Sequence, residues 1–215
     1  MKVGVIGSGT VGQALAKAFS AEGHQVLLGT RSPEKEEVVA FKNDNPAIGI
    51  DTPDRAAAFG DVLVLAVPGV AALGSIKQAG VDNFANKILI DVTNPLAAEP
   101  PVNGVPKQFT TPDESLMESI QKLLPTTKVV KALNSVGAFL MYKPSFQGGK
   151  GTIFIAGNDQ DAKATVAGIL ESFGWDAEDV GKAEAARAIE PLGQLYVARG
   201  MLNNDWAVSF KLVRL

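Results

Sequence analysis

The chain contains no cysteine and a single histidine. The first absence removes disulfides, thiolate nucleophiles and cysteine-ligated metals. The second leaves no histidine cluster, and no metal site is expected. His24 stands in Gly23-His24-Gln25, between a helix and a strand, and reads as a structural loop residue. Basic blocks are also missing. The net charge is −3, the pI is near 5.3 and the 20 Lys and Arg residues are scattered, so no positive field favours nucleic acid. No apolar run reaches the roughly 18–20 residues of a membrane helix. The longest, such as Val62 to Val67, has the length of a buried strand. Met1-Lys2 leads straight into the first strand, without a signal segment. A cytoplasmic protein with no membrane partner is the expectation. Internal repeats and low-complexity tracts are absent too. What remains is 215 residues with 46% hydrophobic content, ample for a packed α/β core.

The first informative pattern is Gly7-Ser8-Gly9-Thr10-Val11-Gly12. It follows the apolar run Val3-Gly4-Val5-Ile6 and opens a helix predicted from Thr10 to about Glu22, stopped by Gly23. A strand, a glycine turn and a helix N-terminus make the phosphate cradle of a dinucleotide site. Gly7 permits the turn, Gly9 lets the backbone approach a pyrophosphate, and Gly12 allows close helix–strand packing. The helix start offers free N–H groups to the phosphates.

A carboxylate is missing where NAD proteins usually place one, at the tip of the second strand. That strand is predicted over 25–29, and Gly29-Thr30-Arg31-Ser32-Pro33-Glu34-Lys35 follows it. Arg31 can grip a phosphate with its planar fork, with Thr30, Ser32 and Lys35 beside it. This set suits the 2′-phosphate of NADP.

Strands and helices alternate along the chain, which predicts a Rossmann-like α/β fold, a doubly wound, mostly parallel sheet with a small C-terminal α+β part. Further strands are expected near 48–50, 61–67, 87–92, 128–133, 152–156 and 175–180. Helices are expected after Pro33, from Thr52-Pro53-Asp54 to Gly60, and over 114–124, 160–173 and 182–202. Residues 93–113, with five prolines, read as a long loop of the kind that is often functional. The flexible joint Gly148-Gly149-Lys150-Gly151 suggests an NADP-binding domain over 1–150 and a small domain over 151–215 that completes the acceptor pocket. So short a second part leaves no room for a large helical domain. The substrate site is then built from sheet-edge loops and one last helix.

Ligands of open α/β sheets lie beyond the carboxyl ends of the strands. Besides the glycine turn, three such tips carry notable residues: Ala66-Val67-Pro68-Gly69, Thr93-Asn94-Pro95 and Asn134-Ser135. The first can flank a nicotinamide ring, Thr93 and Asn94 offer donors and acceptors at a strand tip, and Asn134 can hydrogen-bond a carboxamide or a substrate ring. No acid–base pair stands out, and no catalytic residue is assigned. Hydride transfer to a carbonyl normally wants a proton donor such as Lys, Tyr or His. Transfer to a flavin-like ring needs chiefly two stacked rings and exclusion of water.

These pieces, together with Gly23-His24-Gln25-Val26, Asp91-Val92-Thr93-Asn94-Pro95-Leu96, Lys131-Ala132-Leu133-Asn134-Ser135 and Ala186-Arg187-Ala188-Ile189-Glu190-Pro191-Leu192, occur in an order and spacing that resemble the F-420-dependent NADP oxidoreductase family. The resemblance spans nearly the full chain. It implies hydride transfer between NADP and the deazaflavin coenzyme F-420, or a flavin as co-substrate. It implies that Thr30, Arg31 and Lys35 meet the 2′-phosphate, and that the tips near Pro68, Asn94 and Asn134 shape the ring pocket. Similar domains form the NADPH-binding part of membrane ferric reductases. Reduction of a metal chelate, of a small carbonyl or imine, and non-catalytic NADP binding therefore stay open as alternatives. The tail Trp206–Leu215 alternates apolar and polar residues after Trp206 and needs cover, either from its own fold or from a second copy. The resemblance leans towards a homodimer.

Overall fold

The computed structural model describes residues 1–215. Eight strands form one sheet in the order β3-β2-β1-β4-β5-β6-β7-β8: β1 Lys2–Ile6, β2 Gln25–Gly29, β3 Gly49–Asp51, β4 Val62–Leu65, β5 Ile88–Asp91, β6 Lys128–Lys131, β7 Thr152–Gly157 and β8 Asp176–Asp179. All neighbours run parallel except β6 and β7, which pair antiparallel through Val130↔Gly157 and Lys131↔Ala156. The expected mostly parallel, doubly wound sheet is what is found. Its seven helices are α1 Thr10–Ala21, α2 Glu36–Asp44, α3 Pro53–Phe59, α4 Ala72–Ala79, α5 Leu116–Leu123, α6 Gln160–Ser172 and α7 Ala186–Asn203. None of them is long and apolar enough to cross a membrane.

Strand periodicity sorts the core into two layers. Val62 and Val64 of β4 face one side, with Val3, Val5, Leu15 and Phe19 of β1 and α1 and with Val166 and Leu170 of α6. Leu63 and Leu65 face the other, with Ala56, Ile76, Ile120 and Ile189 from α3, α4, α5 and α7. On that second side the alanine-rich α3 lies close against the sheet. A Cβ on Gly4 would collide with Ala56 O, and one on Gly29 would press on Ala56 and Pro53. Small residues on both surfaces allow this short helix to seat.

The main differences from the sequence-based expectation have local causes. Helix α4 was not anticipated, because it is short, contains Gly74 and ends at Gly80. The helix expected from 114 starts at Leu116, because Ser115 caps it in a reciprocal box with Glu118. Trp175, expected in β8, is instead a buried plug whose indole N–H donates to Met141 O at 3.1 Å. The long loop turns back on itself through the bridges Leu96↔Gln108 and Val102↔Val105. It rests on α7, where Gln194 Nε2 donates to Pro106 O at 2.6 Å. His24 lies at the start of β2, at the opposite end of the strands from the glycine turn, near the Met1 amine and the Phe19 ring.

The tail folds back on its own chain. Asn204 takes a left-handed turn, with φ +48°. Trp206 then covers Gly200, and Tyr196 Oη donates to Trp206 O at 2.7 Å. Any Cβ at Gly200 would overlap the Trp206 ring. Gly200→Ala should therefore lower stability in urea unfolding by about 1–3 kcal/mol, the usual cost of overpacking. A variant as stable as the parent would show that the tail is not held by this seat.

Candidate functional site

The chain starts in the middle of the sheet, runs to one edge through β2 and β3, and returns to β4 on the far side of β1. The tips of β1 and β4 therefore diverge and leave a crevice, the usual ligand position in such sheets. Glycine makes the β1 tip possible. Gly7 has φ +117°, and a Cβ there would collide with Ala66 O. Gly7 N–H donates to Gly29 O at 3.0 Å, which ties the turn to β2. A Cβ on Gly12 would strike Gly7 O, so α1 approaches the turn as closely as a backbone can.

Gly9 is different. It caps α1 with extended backbone, and a Cβ there would meet no protein atom within 4 Å. The space in front of it is open. The first turn of α1 has no side-chain cap and no acidic residue, so its N–H groups and positive dipole end face the crevice unopposed. An anion such as a pyrophosphate fits this arrangement.

The β2 tip is joined to the same turn. The Ser8 hydroxyl donates to Thr30 Oγ1 at 2.8 Å, and Ser32 N–H donates to the same oxygen at 3.3 Å. Thr30 is thus buried as a connector between the two tips, while Arg31 and Lys35 stand exposed at the rim. A cavity of about 200 Å³ runs past Gly7, Ser8, Gly9, Thr30, Arg31, Ser32 and Lys35. Pro53 and the α4 residues Ser75 and Gln78 complete it. Ser75 and Gln78 were not foreseen, since α4 itself was not. No carboxylate lines this cavity.

A second cavity, of about 450 Å³, continues from Gly9 and Ala66-Val67-Pro68 to Thr10, Val11, Gly69, Val92, Thr93, Asn94 and Leu96. The crevice so brings together all but two of the expected site residues. Gly12 lies beneath the turn as a packing residue. Asn134 lies behind the second cavity, 5% exposed. Its amide donates to Asn94 Oδ1 and to Ile189 O, both at 3.1 Å, and its carbonyl accepts from Asn94 Nδ2 at 2.6 Å. It orients Asn94, and Asn94 presents the polar edge. Gly69 and Gly193 have no room for a side chain, because a Cβ on either would collide with Asn94.

Beneath Thr93 lies a charged cluster that the sequence reading missed. Lys131 is fully buried, and its ammonium donates to Asp91 Oδ2 at 2.9 Å and Thr93 O at 2.7 Å, and pairs with Glu190 Oε1 at 2.9 Å. Asp91 Oδ1 accepts from the Thr93 N–H and hydroxyl at 2.9 and 2.7 Å. Glu190 accepts from Leu116 and Met117 N–H at the start of α5. Burial works against the Lys131 ammonium, yet Asp91 and Glu190 outweigh it and hold its pKa above the usual lysine value. One turn earlier on α7, Arg187 grips Glu118 with two hydrogen bonds and, chiefly through them, draws that carboxyl down to about 2. The available signal was a lone charge in each of two otherwise apolar segments, Ile88–Asp91 and Val129–Leu133, and Glu190 beside Ile189 and Pro191 in a third.

Comparison with known proteins agrees with this geometry. The family described as NADP oxidoreductase, coenzyme F-420-dependent, matches residues 2–95. The F-420-dependent NADP reductase of Methanothermobacter thermautotrophicus is 31% identical, over the whole of this chain and 96% of that protein. The chain belongs to this family of F-420-dependent NADP oxidoreductases. As a member it is an NADP-dependent oxidoreductase. A crystal structure of a candidate F-420-dependent NADP reductase from Arthrobacter sp. FB24 superposes with a TM-score of 0.93 at 34% identity, covering all of both chains. Metalloreductase STEAP3 of Rattus norvegicus is 27% identical over 89% of this chain, which spans only 36% of that protein's length. The imine reductase of Streptomyces aurantiacus, with a TM-score of 0.65 and 19% identity, shares the fold.

The empty space at Gly9 gives a clean test of the cradle in this family member. Gly9→Val should keep the parent's thermal unfolding temperature, because the added side chain meets no protein atom. It should lose NADPH affinity by at least about 100-fold, on the order of 3 kcal/mol. Unchanged affinity in a fluorescence titration would move the phosphate site elsewhere.

Proposed function

We propose that the protein transfers a hydride between NADP and the ring of a deazaflavin or flavin-like acceptor, coenzyme F-420 first among them. The observation that carries this reading is the continuous crevice. It begins at Arg31 and Lys35, passes the open helix start at Gly9, and ends in a cavity whose walls are Val11, Val67, Pro68, Val92 and Leu96. Arg31 and Lys35 hold the 2′-phosphate, with Thr30 fixing the loop that carries them. The N–H groups at the start of α1 hold the pyrophosphate. Val67 and Pro68 flank the nicotinamide, and Asn94 offers its amide at the ring edge. NADPH, when bound, supplies the hydride.

The protein's own contribution at the ring end is orientation and exclusion of water. No Lys, His, Tyr, Asp or Glu lines that cavity. The nearest buried ammonium, Lys131, has all three protons engaged by Asp91, Thr93 and Glu190. A carbonyl reductase needs a positioned proton donor. A conjugated heteroaromatic acceptor does not build up an alkoxide, and this cavity suits it. The segment after Gly151 acts as the small second part that completes the acceptor pocket, since α7 backs Asn94 through Ile189 and Gly193. The similarity to STEAP3 favours a second reading, in which the acceptor is a metal chelate.

Stopped-flow oxidation of NADPH with F-420, FMN, a ferric chelate and a small carbonyl separates these readings. We expect F-420 to be reduced fastest. Turnover of the carbonyl alone would overturn the proposal. NADPH should bind at least about tenfold tighter than NADH, and Arg31→Ala should remove most of that gap. Equal affinities for the two cofactors in the unaltered protein would remove Arg31 from the role given to it.

We also infer a cytoplasmic homodimer. Leu195, Met201 and Leu202 of α7 stand exposed, as do Val102 and Val105 of the long loop, whose Gly104 packs beside Met201. Light scattering at micromolar concentration should give twice the 22.5 kDa chain mass, and Leu202→Glu should shift it towards the monomer. A monomer in the unaltered protein refutes the assembly.

A further inference from the structure

The Asp91–Lys131–Glu190 triad touches neither the phosphate cradle nor the solvent. On one side its contacts lead to Thr93, the neighbour of Asn94, and on the other to the start of α5. Thr93 is held by three hydrogen bonds, and all three end on the triad. Its carbonyl accepts from Lys131, and its N–H and hydroxyl both donate to Asp91. From the opposite side Glu190 anchors α7 to the start of α5. Gly193, three residues further along α7, then leans on the Asn94 side chain and on Asn134 O. Leu133 completes the clamp. It is buried, yet held in the left-handed region at φ +56°, and this turn brings Asn134 back against Asn94. A branched apolar residue stays there only when its surroundings over-determine it.

We propose that Lys131, with Asp91 and Glu190, is the positioning residue of the ring pocket, setting the Thr93–Asn94 wall against which the nicotinamide end of the dinucleotide rests. This rests on the reading that the second cavity takes that ring. The triad acts on the ring end alone, because the tips of β1 and β2 that carry Gly9 and Arg31 share no hydrogen bond with it. The chemistry also explains why a lysine is used. Three acceptors converge on one nitrogen, which an ammonium satisfies with its three protons. The flat, five-donor fork of an arginine cannot. The two carboxylates outnumber the ammonium, and the N–H groups of Leu116 and Met117 supply the remaining positive potential.

The test compares two ligands that differ only at the ring end, NADPH and 2′-phospho-ADP-ribose, which has the same phosphates and no nicotinamide. Neither is turned over, so the measurement is independent of the acceptor. In the unaltered protein we expect NADPH to bind about tenfold tighter than the ringless ligand, in the ordinary range for one well-packed ring. Glu190→Gln places an amide where both oxygens now accept. It should bring the ratio to within about twofold through weaker NADPH binding alone, with the ringless ligand unchanged. Thr93→Val leaves all three charges in place and should move the ratio in the same direction even if the first variant folds poorly. A ratio that stays at the parent value in Thr93→Val overturns the proposal. So does an equal loss for both ligands, which is what a merely structural triad would give. If neither ligand binds the unaltered protein, the cradle reading itself falls, and this inference with it.

Discussion

One ammonium group, buried between two carboxylates, joins the parts of the molecule that the ring end of the crevice requires. Lys131 belongs to β6, Asp91 to β5, and Glu190 to α7, and Glu190 reaches on to the start of α5. These elements are separated along the chain by up to about 100 residues; the parallel ladder sets β6 beside β5, and the triad ties α7 and α5 to that pair. A hydrophobic core tolerates small slides, because dispersion has no direction. Three hydrogen bonds on one nitrogen do not. Removing one member of such a cluster typically costs about 3–5 kcal/mol, since the partners stay buried and unpaired. The arrangement is therefore costly to disturb, which suits a part that must hold a geometry rather than merely fill space.

The two ends of the crevice are built on different principles. The phosphate end depends on what is missing. Gly7 and Gly12 lack the side chains that would block the turn, Gly9 leaves room in front of the helix, and α1 has no acidic residue to occupy its own dipole. Its charged contacts, Arg31 and Lys35, are exposed and free to close on a ligand. The ring end depends on what is present and fully paired: Asn94 held by Asn134, Thr93 held by Asp91, and α7 held by Arg187 and Glu190. An adaptable rim at one end and a fixed wall at the other suit the proposed reaction, in which the phosphates are caught and the ring is aligned.

This difference also decides what the sequence reveals. The glycine turn and the β2 tip were legible because their pattern is local. Gly7 to Gly12 follow a strand and open a helix within a dozen residues, and Thr30-Arg31 follow the next strand directly. The strand alternation was legible for the same reason, since VLVL in β4, short and closed off by Gly60-Asp61 and Pro68, reads as a strand buried on both faces. The ring end was read only in part. Asn94 and Asn134 were picked out as strand-tip residues, but nothing local says that one faces the cavity and the other stands behind it. That distinction arises from the left-handed Leu133 and from the approach of Gly193, some 60 residues away in sequence. Helix α4, and with it Ser75 and Gln78, was hidden because it is short and Gly74 weakens a pattern that tertiary packing restores.

The charged triad was hidden for a different reason. Each member alone looks like an ordinary surface charge, and only their coincidence in one dry place makes them a unit. Read with hindsight, a single Lys in Val129-Val130-Lys131-Ala132-Leu133 is a strong signal. Both faces of a central strand are covered, so its side chains from Val129 onward are buried, and a buried ammonium must have carboxylates within reach. The same reasoning then restricts the partners to the neighbouring strand ends and to whatever helix crosses them. Asp91 ends the adjacent β5, and Glu190 lies on the one helix that follows the last strand. A charge inside a doubly covered strand thus points to its own counter-charges, and through them to the place where a fold of interchangeable parts has been fixed at one height.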